Sequence, residues 1–424
     1  MFWKKKLKKA RTLKKALAYL DPHKPLWEDK ELEAFYVDRE PEFREEIMRI
    51  LKNDPNFPKF LLSGPPGCGK ATELGKLKSL LQKKYHVLLF SAKDMTNNYK
   101  ISIDVLIITI LMKIGDLAKE KKPIFYAKNL QNLIDRQKGW ETKYAQVDPA
   151  QGQLDPREAA QAELGLHSIK GEFKQVTRLE QKPTLNEIIG GINKTAEEFL
   201  KKIFFFFGKK KILIMISDLD KIDLESAKEI FFTSSLAITK LKVCAILTFP
   251  LTLKYESNYI PMYRNFNHIY FLESYPIYQS GGKANAEALV SLKEILSRRI
   301  NEKLIEQDVL EEILTLSGGI PFELINIFRE CCKVALRRGY RFVDVDNLDE
   351  AIKRIRGTYQ IGLTDRDKKI LRDIHIHNKK IDNSDLTRLL NQYWITEYGV
   401  WDDLWYDINP ILIPLIKEIN LFEE

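Results

Sequence analysis

The chain has 424 residues, of which 44% are hydrophobic and 30% are charged. This length exceeds the roughly 100–200 residues of a single domain, and this composition excludes a chain that is disordered throughout. The four cysteines lack metal-ligand spacing and the opening segment lacks the apolar stretch of a secretory signal, so a cytoplasmic protein is expected. The longest apolar run, 105–112, is far shorter than the ~20 residues that cross a bilayer, and no membrane span is predicted.

The net charge of +9 comes largely from the start of the chain. The cations there are Lys4, Lys5, Lys6, Lys8, Lys9, Arg11, Lys14 and Lys15. Such a cluster can bind nucleic acid through counterion release, so nucleic acid is a candidate partner, although a solvated basic arm has the same pattern. Pro22, Pro25 and Trp27 follow and indicate a linker. Residues 1–30 are therefore predicted to form a basic N-terminal arm and linker.

A glycine-rich loop follows the first buried strand, which is predicted at 60–62, and precedes a helix predicted at 73–84. The loop consists of Gly64, Pro65, Pro66, Gly67, Cys68, Gly69 and Lys70. It satisfies the spacing of the phosphate-binding loop, in which glycines let backbone N–H groups face phosphates and the lysine reaches the outer phosphates. These residues therefore predict a site for ATP or ADP.

The magnesium ligands of such a loop are altered. The position after the lysine normally supplies a hydroxyl to the metal, but here it is Ala71, and Thr72 lies about 100° further around the helix. An acidic residue is expected directly after a central strand, but Ser217 follows the apolar run 212–216, and Asp218 and Asp220 come next. Asp218 and Thr72 are the metal candidates that remain, and magnesium binding is in doubt.

Strands and helices alternate through the first part of the chain. Further strands are predicted at 86–90, 212–216 and 243–249, with helices at 101–117 and 224–238, and this alternation predicts a parallel sheet. Residues of about 119–185 break the alternation and are interpreted as an insertion. From 286 onward four helices follow one another, and then two helices precede a pair of short strands at 394–400 and 404–408. The predicted fold is α/β: a parallel-sheet P-loop NTPase core (31–275), a helical lid (276–356) and a C-terminal winged-helix-like module (357–424).

Six segments, considered together, resemble one group of proteins. They are 36–40, 67–74, 214–221, 247–250, 317–321 and 405–410. Over most of its length the chain is similar to bacterial P-loop ATPases that lie between the AAA+ origin-recognition and helicase-loader clade and the STAND signalling ATPases. The resemblance implies that Val37, Asp38 and Arg39 lie near the adenine and that Pro321 belongs to a lid turn beside the nucleotide. It also implies that Thr248 senses the γ-phosphate.

The same resemblance exposes a third altered position. The family usually places a nucleotide-sensing arginine in the lid turn, where this chain has Phe322. Ala71, Ser217 and Phe322 together remove a metal ligand, an acidic anchor and a charge that stabilises phosphoryl transfer. Asp218, Asp220 and Thr248 are the catalytic residues that the pattern retains.

Three functions are consistent with this sequence. The first is a nucleotide-dependent switch with weak or absent hydrolysis, in which the C-terminal module meets a protein partner, by analogy in bacterial defence or signalling, with nucleotide-dependent self-association. The second is an active ATPase that remodels DNA or protein complexes. The third is a DNA-binding winged helix, which the acidic residues Glu397, Asp402, Asp403 and Asp407 of the predicted hairpin disfavour. Arg298 and Arg299 are interpreted as a solvated helix face.

Overall fold

A computed structural model describes residues 7–39, 41–95, 100–121, 189–190, 193–194, 197, 210–278, 284–377, 381–399 and 401–417. Lys4, Lys5 and Lys6 and nearly all of the insertion predicted at about 119–185 lie outside the described residues. Within the described ranges, no helix combines the length and the apolar character that a membrane crossing requires.

The core is a parallel sheet flanked by helices, as predicted. Its elements, with the two short helices that precede it, are α1 (Leu13–Leu17), α2 (Asp29–Phe35), α3 (Pro41–Asn53), β1 (Lys59–Ser63), α4 (Lys70–Leu81), β2 (His86–Ser91), α5 (Ile103–Lys121), β3 (Ile212–Ser217), α6 (Leu224–Lys228), α7 (Ser235–Thr239), β4 (Cys244–Thr248), α8 (Tyr259–Tyr263) and β5 (His268–Phe271). The strand order is β2-β3-β4-β1-β5, and every neighbouring pair is parallel. The predicted α/β fold class is confirmed.

The central strands are buried on both faces, which is why they appear in the sequence as continuous apolar runs. In β3, Ile214 and Ile216 pack on the side of α5, whereas Leu213 and Met215 pack on the side of α3 and α4. Apart from Lys59 at the start of β1, the polar residues of β1, β3 and β4 lie where the strands end, at Ser63, Ser217 and Thr248. Because the strands are parallel, these ends lie along one edge of the sheet.

Three elements of the core differ from the sequence prediction. The helix predicted at 224–238 is interrupted by a π-helical turn, Glu229–Thr233, between α6 and α7. Helix α4 begins at Lys70 rather than at 73, because Gly69 adopts a left-handed φ of 114° that ends the loop. Strand β5 was not predicted, and its half-buried edge position explains the weak apolar signal of its sequence.

The lid consists of α9 (Ala286–Ser297), α10 (Gln307–Leu316), α11 (Pro321–Arg337) and α12 (Val345–Tyr359). The start of the chain contributes to its core, because Ala10, Leu13, Ala16 and Leu20 are buried among the lid's apolar residues. The backbone of Ala10 also forms hydrogen bonds with Arg299 and Asn301. Residues 10–20 are therefore packed on the lid rather than free in solvent.

The C-terminal module has two helices followed by a hairpin, the order that was predicted. Its elements are α13 (Asp365–His377), α14 (Asn383–Asn391), β6 (Ile395–Tyr398), β7 (Trp405–Ile408) and α15 (Ile413–Lys417), and the two strands are antiparallel. The module has its own apolar core around Leu371, Leu389 and Trp394. His375 Nδ1 lies 2.7 Å from Asp407 Oδ1, so the first helix is joined to the hairpin. The domain limits given above remain predictions.

Candidate functional site

The glycine-rich loop connects β1 to α4 at the carboxyl edge of the sheet. Gly64 and Gly67 have positive φ angles of 143° and 83°. A Cβ atom on Gly64 would lie 2.3 Å from the Leu272 carbonyl oxygen, and one on Gly67 would lie 2.6 Å from Phe322 Cβ. Both distances are shorter than any real Cβ contact, so only glycine allows the loop to pass between the sheet and the lid.

Lys70, the last residue of the motif, is buried and forms an ion pair across the site. Its Nζ lies 3.0 Å from Asp220 Oδ2 and donates to the carbonyl oxygens of Gly64 at 2.8 Å and Pro65 at 3.1 Å. Burial by itself lowers the pKa of Lys70, but the Asp220 carboxylate outweighs burial and raises it. Lys70 is therefore a fixed cation whose partner in this structure is a carboxylate, in the place where a phosphate would bind.

The two carboxylates that follow β3 have different partners. Asp218 has a left-handed φ of 61°, and its carboxylate accepts hydrogen bonds from Ser91 Oγ at 2.7 Å, Ser217 Oγ at 3.1 Å and Lys221 Nζ at 2.6 Å. Burial raises the pKa of Asp218, but Lys221, the Ser91 hydroxyl and Lys93 together outweigh burial and lower it. Asp220 pairs with Lys70 instead, and its backbone N–H donates to Thr248 Oγ1 at 3.3 Å. The structure thus brings Asp220, Thr248 and Lys70 together and directs Asp218 toward β2.

The residues at the magnesium position do not fit a metal ion in this arrangement. Ala71 offers no hydroxyl, and its carbonyl oxygen accepts a hydrogen bond from Trp27 Nε1 at 2.9 Å. Thr72 Oγ1 accepts from the backbone N–H of Leu26 at 3.3 Å. Among the described residues, no group of three or more His, Cys, Asp or Glu side chains could hold a metal ion. The site therefore fits phosphate better than it fits magnesium.

Residues 18–27, which we name the strap, form one wall of the site. At its start, Arg329 Nη1 donates to the Leu20 carbonyl oxygen at 2.7 Å and so attaches the strap to lid helix α11. At its end, Leu26 and Trp27 lie on α4, where a Cβ on Gly75 would be 2.1 Å from the Leu26 carbonyl oxygen. A linker was predicted here, and in the structure this segment packs on both α4 and the lid. No local signal marks the strap, because its contacts are with residues about 45 and 300 positions further along the chain.

A buried polar network joins the first turn of α4 to Tyr36 and to α3. Arg44 Nη1 donates to Glu73 Oε2 at 2.6 Å, and the Tyr36 hydroxyl donates to Glu73 Oε1 at 3.0 Å. Burial raises the pKa of Glu73, and Arg44 opposes that rise. Arg44 also binds the carboxylate of Asp38, which therefore faces this network rather than the cavity. The sequence offered no signal for Arg44, because an arginine in an amphipathic helix is ordinarily solvated.

Arg299 also belongs to the site, so its interpretation as part of a solvated helix face was wrong. It is 6% exposed, and its Nη1 donates to the carbonyl oxygens of Ile295 at 2.8 Å and Phe35 at 3.2 Å. Burial and the neighbouring charge of Arg298 lower the pKa of Arg299 to about 10. Arg298, in contrast, pairs with Glu294 in the same helix at 2.6 Å and is much more exposed. One of the two arginines is a surface residue and the other is a buried cation beside the strap.

These elements enclose a cavity of about 760 Å³, within the range of ~300–1,000 Å³ typical of small-molecule sites. The predicted site residues that line it are Val37, Arg39, Pro66, Gly67, Cys68, Gly69, Lys70, Ala71, Thr72, Asp218, Asp220, Thr248 and Pro321. Gly64, Pro65 and Asp38 lie behind its walls. The lid side adds Phe322, whose backbone N–H donates to the Gly67 carbonyl oxygen at 3.3 Å, and the C-terminal module adds Tyr393.

Comparison with solved structures finds similar chains at low identity. One is Cdc6p from Pyrobaculum aerophilum, with a TM-score of 0.43 and 11% identity over 95% of this chain and 98% of that chain. Another is the ORC2 protein of Aeropyrum pernix in ADPNP–ADP complexes, with a TM-score of 0.42 and 12% identity over 94% and 97%. A third is the RuvB Holliday junction branch migration motor of Thermotoga maritima, with a TM-score of 0.38 and 12% identity over 90% and 95%.

No protein-family model and no curated protein matches this chain. Similarity to solved structures at this level does not assign a family.

Proposed function

We propose that this chain binds ATP or ADP in the cavity between the glycine-rich loop, the strap and the lid, and acts as a nucleotide-dependent switch of the AAA+ and STAND type with weak or absent hydrolysis. The observation that carries the proposal is the buried ion pair between Lys70 and Asp220 at the mouth of the loop. A cation held there, at the N-terminal end of α4, is suited to bind the outer phosphates of a nucleotide.

Phosphate binding requires a simple exchange at this position. Lys70 Nζ is held by Asp220 and by two loop carbonyl oxygens, so an incoming phosphate takes the place of the Asp220 carboxylate and Lys70 stays paired with an anion. The N-terminal turn of α4 adds backbone N–H groups and the positive end of the helix dipole. The binding energy therefore depends on Lys70 and on the loop backbone more than on a metal ion.

Weak hydrolysis follows from what the site lacks. Phosphoryl transfer depends on a metal ion and on cations that neutralise charge on the transferred group. Here Ala71 and Thr72 both bind the strap, Ser217 donates its hydroxyl to Asp218, and Phe322 replaces the arginine that the resemblance led us to expect. Asp220 and Thr248 retain an acid and a hydroxyl at the strand ends, which is the observation that favours the alternative of an active ATPase.

The C-terminal module is connected to the cavity in a way that suits a switch. Glu397 in β6 binds both Lys254 and Tyr255, in the turn that follows the strand of Thr248. The Tyr398 hydroxyl donates to the Gly318 carbonyl oxygen of the lid at 2.7 Å, and Tyr393 reaches the cavity itself. A change in the lid or in the turn after β4 is therefore transmitted to the module, the surface that we propose for a protein partner or for self-association.

The DNA-binding alternative has less support. Asn383 in α14 donates to the Tyr255 carbonyl oxygen at 3.2 Å, and Arg388 pairs with Asp367 and Asp385, so this helix is occupied within the protein. The exposed Lys8 and Lys9 are better candidates for contact with phosphates. Replacement of both by alanine tests this alternative more cleanly than deletion of 1–15, because deletion would also remove Leu13 from the lid core. DNA affinity that falls steeply with salt and is lost in the double variant would support it.

Calorimetric titration with ATP, with and without magnesium, tests the proposed function. We expect the same affinity in both conditions, and a loss of about 100-fold in Lys70→Ala, because a buried charge-assisted contact contributes about 3 kcal/mol. Lys83→Ala, an exposed lysine just beyond α4, is the matched control and should bind normally. An affinity that requires magnesium, together with ordinary turnover that is lost in Lys70→Ala, would contradict the switch and favour the active ATPase.

A further inference from the structure

Glu323 is a buried carboxyl group in the cavity that the proposed function does not use. It lies in the first turn of α11, is 5% exposed and lines the same cavity as Lys70. The residue before it, Phe322, donates its backbone N–H to Gly67 of the loop. The chain thus places an acidic group on the lid, one residue from a direct contact between the lid and the loop.

The hydrogen bonding of this carboxyl group is incomplete. The Tyr359 hydroxyl in α12 donates to Glu323 Oε1, but no described residue donates to Oε2. A buried carboxyl oxygen without a partner is costly, and it reduces that cost by accepting a proton or by meeting a ligand. Burial raises the pKa of Glu323 to about 7, and the Tyr359 hydroxyl opposes that rise. The group therefore changes charge near neutral pH.

Tyr393 lines the cavity within electrostatic reach of both Glu323 and Lys70. Burial raises its pKa, and the charges of Lys221, Asp220, Lys70 and Glu323 all act on it as well. Because one hydroxyl is within electrostatic reach of both Lys70 and Glu323, the acid on the lid lies toward the phosphate end. A carboxyl group is unusual near a phosphate-binding site, because an ionised carboxylate repels phosphate.

We propose that Glu323 sets the preference of the cavity between nucleoside diphosphates and triphosphates: its neutral carboxyl donates a hydrogen bond to the terminal phosphate of a triphosphate, and its ionised carboxyl repels that phosphate. This inference rests on the proposed function. A triphosphate carries one more phosphoryl group than a diphosphate, and from the loop that group extends toward the lid. Glu323 is therefore a specificity-determining residue for the nucleotide.

The expected pH dependence follows from the charge of Glu323. Below about pH 7 the group is neutral and accommodates a triphosphate, and above that pH it is ionised and disfavours the extra phosphate. The titratable and charged groups on the elements around it are Tyr359 from α12, Tyr393 from the C-terminal module, His23 from the strap, which contacts the neighbouring Phe322 ring, and Lys70, Asp220 and Lys221, whose charges also act on Tyr393. A comparison with Glu323→Gln cancels their contribution, because both proteins retain them.

Calorimetric affinities for ADP and ATP, measured without magnesium at about pH 6 and about pH 8, test the inference. In the wild-type protein the affinity for ATP relative to ADP should fall about tenfold between the two pH values. In Glu323→Gln the ratio should be independent of pH and favour ATP. Glu330→Gln, on the same helix but outside the cavity lining, should behave as the wild type does.

Tyr359→Phe supplies a readout that a loss of folding could not imitate. The Tyr359 hydroxyl lowers the pKa of Glu323, so its removal should raise that pKa. The pH midpoint of the preference for ATP over ADP should then move to a higher value. If both nucleotides bind but their ratio does not change with pH, or changes equally in Glu323→Gln, the inference is overturned while nucleotide binding stands. If neither nucleotide binds in a Lys70-dependent manner, the proposed function and the inference fail together.

Discussion

The two sides of the cavity are built in different ways. The phosphate side comes from one continuous segment, Gly64–Thr72, and from strand ends that the sheet holds in place. The facing side comes from the strap, from α11 and from the C-terminal module, which are up to about 370 positions apart in the chain. The first side is complete whenever the sheet is folded, whereas the second is complete only when the strap, lid and module are all docked. In the proposed switch, the affinity for the nucleotide therefore depends mainly on the first side, and the conformational response to the nucleotide depends mainly on the second.

Loosening the C-terminal module should have the largest effect on the facing side. Glu397 is 4% exposed and pairs with Lys254, whose side chain is 15% exposed. Glu397→Gln leaves this lysine buried without a counter-charge, which costs about 3 kcal/mol. We expect the module to detach from the core and the rate of limited proteolysis near 360–364 to rise about 100-fold, while binding to the phosphate side persists.

Asp403→Asn provides the control for that experiment, because Asp403 is an exposed acid in the same module. Its proteolysis rate should match that of the wild type. Equal proteolysis rates in Glu397→Gln and the wild type would show that the module is held by other contacts. The proposed transmission from the turn after β4 would then lose its support.

Displacing the strap should have an intermediate effect. Gly75→Ala places a methyl group 2.1 Å from the Leu26 carbonyl oxygen, so the strap has to move away from α4. We expect nucleotide affinity to fall about tenfold, as one wall of the cavity opens and its contacts with the ligand are lost. The titration used for Lys70→Ala measures this directly.

Gly357→Ala is a closely matched control for the strap experiment. Gly357 is also within a helix, α12, but a Cβ there meets nothing within 4 Å. This change should leave affinity unaltered and stabilise the protein by about 0.4–1 kcal/mol, because it restricts the unfolded chain. If both variants bind equally well, the strap is not a wall of the nucleotide site.

The difference between the two sides also explains what the sequence could predict. Lys70 and its loop are a local motif, and the continuous apolar run of β3 marks a strand buried on both faces, so the loop and the central sheet were predictable. The positions of the strap, Arg299 and Glu323 depend on contacts between distant segments of the chain. Such contacts produce no motif of fixed spacing that could be recognised in the sequence. Arg299 shows the limit well, because an arginine just after a helix is ordinarily solvated, whereas here Phe35, from a distant part of the chain, packs against its guanidinium group.

The smallest effect should come from restoring the metal ligands on the phosphate side. Ala71→Ser with Ser217→Asp returns a hydroxyl and a carboxylate to the positions at which such sites bind magnesium. We expect the affinity for ATP to become magnesium-dependent by about fivefold, since one added polar contact is worth about 1 kcal/mol. The gain in affinity stays small because Ser217 is fully buried next to Asp218. The negative charge of Asp218 therefore disfavours a second carboxylate at position 217. Each single variant should show less than half of the gain, because one ligand alone does not hold the ion.

Turnover should rise together with the magnesium dependence. If it does not, the missing ligands are not what limits hydrolysis, and the cause lies on the facing side, at Phe322 and Glu323.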